Sequence, residues 1–309
     1  MRGLIMDQPL LISSLIRYAA QYHGDTEIVS RTAEGAIHRY TYRDAYARIQ
    51  KLAQALRALG VAPGDRVATL AWNGHRHFEL YYAISGGGAV CHTVNPRLFP
   101  PQIRYSLNHA ADRYVVADSS FVPLLEALAP ELPAVAGYVL MTDAAHMPAT
   151  KLPNVLCYED LIGGAAAAFD WPDLDEWTAS SLCYTSGTTG NPKGVLYSHR
   201  STLLHAFAIT AADSLAMTAR DSVMPVVPLF HVNAWGIPYG AAMAGSKLVF
   251  PGPHLDPPSL HALIEQERVT ISAGVPTVWL KLCEYLAQSG RKFSTLERIH
   301  AAARPCRKR

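Results

Sequence analysis

Residues 63–94, PGDRVATLAWNGHRHFELYYAISGGGAVCHTV, decide the fold class. Pro63, Gly64 and Asp65 make a turn signal, residues 66–71 (RVATLA) form a short apolar run suited to a buried strand, residues 75–85 suit a helix, and residues 89–94 return to strand. Strand, helix, strand is a βαβ unit, which brings parallel strands together under a helix. On its N-terminal side, residues 41–60 place Tyr42, Ala45, Tyr46, Ile49, Leu52, Ala53, Leu56 and Leu59 at helical spacing, with Thr41 as N-cap and Gly60 as the stop. On its C-terminal side the alternation continues: helix at 101–109, strand at 114–117, helix at 122–128, strand at 137–141. Residues 143–175, interrupted by Pro148, Pro153, Gly163, Gly164 and Pro172, read mostly as loop. Strands at 181–185, 222–227, 247–250 and 270–273, with helices at 201–212, 236–244 and 258–267, then resume the pattern. The expected fold class is α/β, with parallel sheets and flanking helices in layered subdomains that meet near residues 175–180.

Composition excludes several classes of function. Half of the 309 residues are apolar and 17% are charged, which suits a packed core and not a disordered, collagenous or coiled-coil chain. The 27 Lys plus Arg against 25 Asp plus Glu leave a formal charge of +2, so nothing global points to nucleic acid or an anionic membrane. Cys91, Cys157, Cys183, Cys283 and Cys306 are odd in number and contain no CxxC pair, which disfavours a disulfide framework and a zinc site and suits a reducing cytoplasm. The apolar stretch at 10–16 is too short for a membrane span and reads as an amphipathic surface helix, and residues 226–250 are broken by Pro228, His231, Asn233, Pro238 and Lys247.

The chemistry concentrates in residues 184–194, YTSGTTGNPKG. Ser186, Thr188 and Thr189 supply hydroxyls; Gly187, Gly190 and Gly194 let the backbone turn its amides inward; Lys193 adds a fixed positive charge. That mixture suits a polyphosphate. The spacing is not that of the common P-loop, because Pro192 precedes Lys193 and Gly194 follows it. A second segment, PLFHVNAW at 228–235, carries His231 and Trp235 four positions apart, followed by Gly236. Composition alone makes His231 a partly buried structural histidine and Trp235 a core residue.

The eleven residues at 184–194 resemble the phosphate-loop signature of the adenylate-forming (AMP-binding) superfamily, which includes acyl-CoA synthetases, luciferases and nonribosomal peptide adenylation domains. The segments CHTVNPRLFPPQIRYSLNHA (91–110), PGPHLDPPSLHALI (251–264) and AGVPTVWLKL (273–282) are similar to the medium- and long-chain fatty acyl-CoA ligase subgroup, and the likeness runs from about residue 5 to residue 298. The resemblance implies an AMP- and pyrophosphate-forming acid–thiol ligase that uses ATP with Mg²⁺ and takes coenzyme A as co-substrate. By position it makes Thr185, Ser186, Gly187, Thr188, Thr189, Gly190 and Lys193 the nucleotide-phosphate contacts, with Thr185 helping to hold Mg²⁺ and Lys193 the mobile phosphate-contacting lysine. It makes PLFHVNAW the acyl site, with His231 on the substrate side as the second catalytic residue, Trp235 as the gate and Gly236 beside it. Amino-acid-activating relatives place an Asp near this His, and FHVN offers none, so the implied partner is a medium- or long-chain fatty acid. A homodimer is also implied.

The end of the chain departs from that pattern. After His300 the sequence reads AAARPCRKR, where the family continues into a Gly-Gly turn and a Thr-Glu motif whose Glu also binds Mg²⁺. The resemblance thus implies an incomplete N-terminal adenylation domain over 1–300, a divergent tail at 301–309 that reads as out of frame, no C-terminal domain, and impaired turnover. The alternative is a degenerate ligase fragment acting as a binding or interaction protein.

Overall fold

The computed structural model describes residue 3, residues 5–185 and residues 191–301. Two sheets organise these residues. The first has seven strands in the order β7-β6-β5-β3-β4-β8-β9, formed by β3 (Arg66–Leu70), β4 (Val90–Thr93), β5 (Tyr114–Ala117), β6 (Gly137–Leu140), β7 (Val155–Cys157), β8 (Ala179–Thr185) and β9 (Lys193–Ser198). The second has six strands in the order β13-β12-β10-β11-β1-β2, formed by β1 (Glu27–Arg31), β2 (Ile37–Thr41), β10 (Ser222–Pro225), β11 (Lys247–Phe250), β12 (Ile271–Gly274) and β13 (Arg298–Ala301). All neighbours pair in parallel except the β1/β2 and β8/β9 pairs. The expected α/β class is what the chain adopts.

A layer of helices lies between the sheets: α1 (Ile12–Tyr22), α2 (Tyr42–Ala58), α3 (His75–Gly86) and α8 (Ile237–Ala244) share one buried cluster with side chains from both, among them Val67, Val116, Leu248 and Phe250. The outer face of the first sheet is covered by α4 (Pro100–Ala110) and α5 (Val122–Leu128), and that of the second by α9 (Pro257–Gln266) and α10 (Pro276–Ser289). Helix α3 sits deepest, with every residue from His77 to Gly86 buried.

The helix expected at 41–60 starts where its capping residue says it should. The Thr41 hydroxyl accepts from the Asp44 amide at 3.3 Å, and the Asp44 carboxylate accepts from the Thr41 amide at 3.0 Å, closing a capping box. The apolar stretch at 10–16 opens the amphipathic helix α1 as expected, with Ile12 and Ile16 buried against α2 and α8 and with Arg17, Tyr18 and Tyr22 exposed. Residues 143–175 are mostly loop as expected, with β7 and α6 (Tyr158–Gly163) as short elements within them. The subdomain boundary expected near 175–180 needs correction: the chain leaves the seven-stranded sheet only after Ser198, so residues 175–180 lead into β8, which begins at Ala179, and do not separate the two sheets.

Candidate functional site

The phosphate-loop motif is the connection of a β-hairpin. β8 and β9 are antiparallel, with Tyr184 opposite Gly194 and Thr185 opposite Lys193. A strand-to-helix connection was expected; instead β9 intervenes, and the helix that follows is α7 (His199–Thr210). Lys193–Ser198 (KGVLYS) places Val195, Leu196 and Tyr197 in succession at the sheet edge, with no alternation of apolar and polar residues to mark a strand. Ser186, Gly187, Thr188, Thr189 and Gly190 lie outside the described residues. Thr185 and Lys193 are exposed at the mouth of the hairpin, where the Thr185 hydroxyl donates to the Lys193 carbonyl at 3.5 Å. Gly194 has a steric reason to be glycine, since a Cβ there would come 3.0 Å from Leu182 Cδ1 and 3.2 Å from the Tyr184 ring. Beneath the mouth, burial pushes the Tyr184 phenol up to about 12, so it stays protonated and donates to His109 Nδ1 at 2.7 Å. Tyr105 stacks on the other side of His109 at 5.2 Å.

The second motif begins where β10 ends. Asn73, between β3 and α3, is buried and holds the backbone that leads into it: its Nδ2 donates to the Pro225 and Val227 carbonyls at 2.8 and 2.9 Å, and its Oδ1 accepts from the Leu229 amide at 2.8 Å. Tyr81 of α3 donates to the Leu229 carbonyl, and Tyr82 to that of Pro238 at 3.1 Å. The chain then makes a left-handed turn, with φ of 48° at Val232, 47° at Asn233, 49° at Ala234, 55° at Trp235 and 73° at Gly236. L-residues resist this conformation at about 1–2 kcal/mol each and normally enter it singly. Glycine is required at 236, because a Cβ there would lie 2.6 Å from His205 Cδ2.

His231 precedes this turn and Trp235 lies within it. His231 is solvent-exposed, yet the protein around it lowers its pKa by desolvation, so its imidazole is neutral at pH 7. Trp235 is partly buried against the central cluster, and its carbonyl accepts from His205 Nε2 at 3.1 Å. The two motifs meet on β8. Asn233 Nδ2 donates to Ser181 Oγ at 2.8 Å, and the Cys183 thiol donates to Asn233 Oδ1 at 3.4 Å. One strand thus carries both Thr185 at its end and the support of the turn at its middle. Cys183 and Cys91 are buried with their thiol pKa values raised by desolvation, which removes them as nucleophiles.

Among the described residues no ligand set for Mg²⁺ is assembled. Mg²⁺ takes oxygen ligands in octahedral geometry and usually at least one carboxylate. Thr185 offers a single neutral hydroxyl, and among the described residues no cluster of acidic, His or Cys side chains could hold a metal.

Sequence reasoning missed Asn73, Tyr81, Tyr82, Ser181, His205 and Asn233. Five of them act across long sequence separations, which no local period reveals. Asn233 alone carried a signal, being a residue tolerant of left-handed backbone beside Gly236.

The chain belongs to the AMP-binding enzyme family, whose model matches residues 16–309. It is 50% identical over 306 residues to a medium-chain-fatty-acid–CoA ligase of Ectopseudomonas oleovorans, covering 99% of this chain and 56% of that protein. It is 47% identical to a long-chain-fatty-acid–CoA ligase of Thermus thermophilus, covering 96% of this chain and 53% of that one. The chain thus spans about half the length of these curated relatives. Among solved structures, the N-terminal domain of FACL13 from Mycobacterium tuberculosis superposes with a TM-score of 0.80 at 26% identity over 96% of this chain and 70% of that one. An anthranilate CoA ligase has the same fold, with a TM-score of 0.87 at 21% identity over 98% of this chain and 57% of that one.

Proposed function

We propose that this chain carries the phosphate-binding and acyl-binding portion of a medium- or long-chain fatty acid–CoA ligase. The observation that carries the reading is the junction on β8, which ties the hairpin of residues 184–194 to the turn of residues 228–236 through Asn233. Identity near 50% to two fatty-acid–CoA ligases supports the substrate class.

The reaction has two halves. A fatty carboxylate attacks the α-phosphorus of MgATP and pyrophosphate leaves; the thiol of coenzyme A then opens the mixed anhydride and AMP departs. Neither half needs a protein nucleophile, so catalysis comes from positioning and from neutralising charge. Lys193 supplies positive charge to the phosphates, joined by the hydroxyls of Thr185, Ser186, Thr188 and Thr189 and the amides of Gly187 and Gly190. The neutral His231 serves as a hydrogen-bonding group on the carboxylate side without a full charge. Trp235 and Gly236 shape the acyl wall. No described helix is long and apolar enough to cross a membrane. A cytoplasmic setting and a homodimer belong to the same reading.

Equilibrium dialysis of MgATP and of decanoate against the folded chain tests it. Both ligands bind, and Lys193→Ala weakens MgATP at least tenfold while leaving decanoate within twofold. A folded chain that binds neither refutes the reading and leaves a remnant with another binding role.

A further inference from the structure

Five consecutive left-handed residues, Val232–Gly236, do not hold themselves. Runs of this conformation are absent from ordinary L-sequences, and strained backbone persists only where its surroundings over-determine it. The search for what imposes it leads to one side chain. Asn233 is 6% exposed, and both ends of its amide are used: Nδ2 donates to Ser181 Oγ at 2.8 Å, and Oδ1 accepts from the Cys183 thiol at 3.4 Å. The Cys183 sulfur also contacts Thr93 Oγ1 at 3.1 Å. The far end of the turn is tied more loosely, by the exposed His205 on the Trp235 carbonyl.

We propose that Asn233 is a positioning residue: its side chain latches the left-handed turn onto β8 and so sets where His231 and Trp235 stand in the acyl site. This rests on the acyl-site reading of the turn. Residue type supports the assignment. Of the residues that tolerate left-handed backbone, glycine has no side chain and aspartate no donor, whereas asparagine combines the tolerance with one donor and one acceptor. Ser181 needs the donor and Cys183 the acceptor. The latch also seals Cys183, which is 3% exposed beneath it, while Cys91 is 1% exposed on β4 and pairs with Ser181 across the ladder.

Those two buried thiols make the test. Native-state alkylation of the full 309-residue chain with N-ethylmaleimide is followed by mass spectrometry of the Cys183 and Cys91 peptides, in wild type, Asn233→Ala and Asn233→Gly. Glycine keeps the left-handed backbone easy but removes the latch. Both variants label Cys183 at least tenfold faster than wild type and leave Cys91 unchanged; both bind decanoate at least tenfold more weakly and MgATP within twofold. Unchanged Cys183 labelling, a parallel rise at Cys91, wild-type behaviour of Asn233→Gly, or unaltered decanoate binding in a deprotected variant each overturns the latch. Alkylation needs no acyl ligand. A wild-type chain that fails to bind decanoate therefore sinks the acyl reading, and unmoved labelling sinks the latch.

Discussion

At the scale of single residues, the left-handed turn at 232–236 concentrates conformational cost in a few positions that local sequence barely marks. Gly236 combines a φ of 73° with a wall of His205 atoms 2.6 Å from where a Cβ would go. Gly236→Ala is expected to lower unfolding free energy by roughly 1–3 kcal/mol, read as a reduced urea midpoint at unchanged slope. A midpoint equal to wild type would mean that the turn relaxes freely. Composition alone made His231 a structural histidine and Trp235 a core residue; only the resemblance of residues 228–235 to the family's motif singled them out. Their geometry was not visible. It is set by Asn73 and Tyr81, more than a hundred residues earlier, and by Ser181, fifty residues away in the chain, and pairings of such separation leave no trace in a single sequence.

At the scale of elements, the central helices are held by charge as well as by apolar packing. Glu79 of α3 is fully buried, and its carboxylate accepts from Arg48 Nε at 2.7 Å and Nη2 at 3.2 Å and from the Tyr158 hydroxyl at 2.7 Å. Arg48 also reaches Glu159 at 2.9 and 3.0 Å, so α2, α3 and α6 share one network. Burial opposes the guanidinium charge, but Glu79 and Glu159 outweigh it, and the Arg48 pKa is raised. Glu79→Ala removes two bonds of Arg48 and the acceptor of the Tyr158 hydroxyl while Glu159 still neutralises the guanidinium, so it should cost about 1–3 kcal/mol. A loss below about 1 kcal/mol in denaturant unfolding would show that water reaches Arg48 in the variant. Elements with strong periods, such as α2, or with βαβ punctuation, such as β3 to β4, were legible. The β1/β2 hairpin, β7, α6 and β9 were not, because short and edge strands show neither alternation nor a helical period.

At the scale of the whole molecule, the two sheets are joined by helices whose ends depend on neutral histidines. His199 is fully buried at the start of α7, and its Nδ1 accepts the Ile12 amide at 3.1 Å, satisfying a free donor at the N-terminus of α1. Desolvation pushes its pKa down to about 4. The unfolded chain takes up a proton below about 6.5, whereas the folded chain resists it. The stability His199 contributes is therefore present above about pH 6.5 and is lost as pH falls toward 4, by up to about 3 kcal/mol. His199→Asn keeps an acceptor but does not titrate, and its unfolding free energy should fall less steeply over that interval than that of wild type. Equal slopes would remove His199 from the acid limb.

The same architecture places the phosphate hairpin on one sheet and the acyl turn after a strand of the other, joined at β8. The most direct measurement of that account is ATP–pyrophosphate exchange by the purified, folded 309-residue chain, with and without decanoate, beside Lys193→Ala. The account predicts exchange that requires decanoate and falls to background in the variant. Exchange equal with and without decanoate, background included, would contradict it.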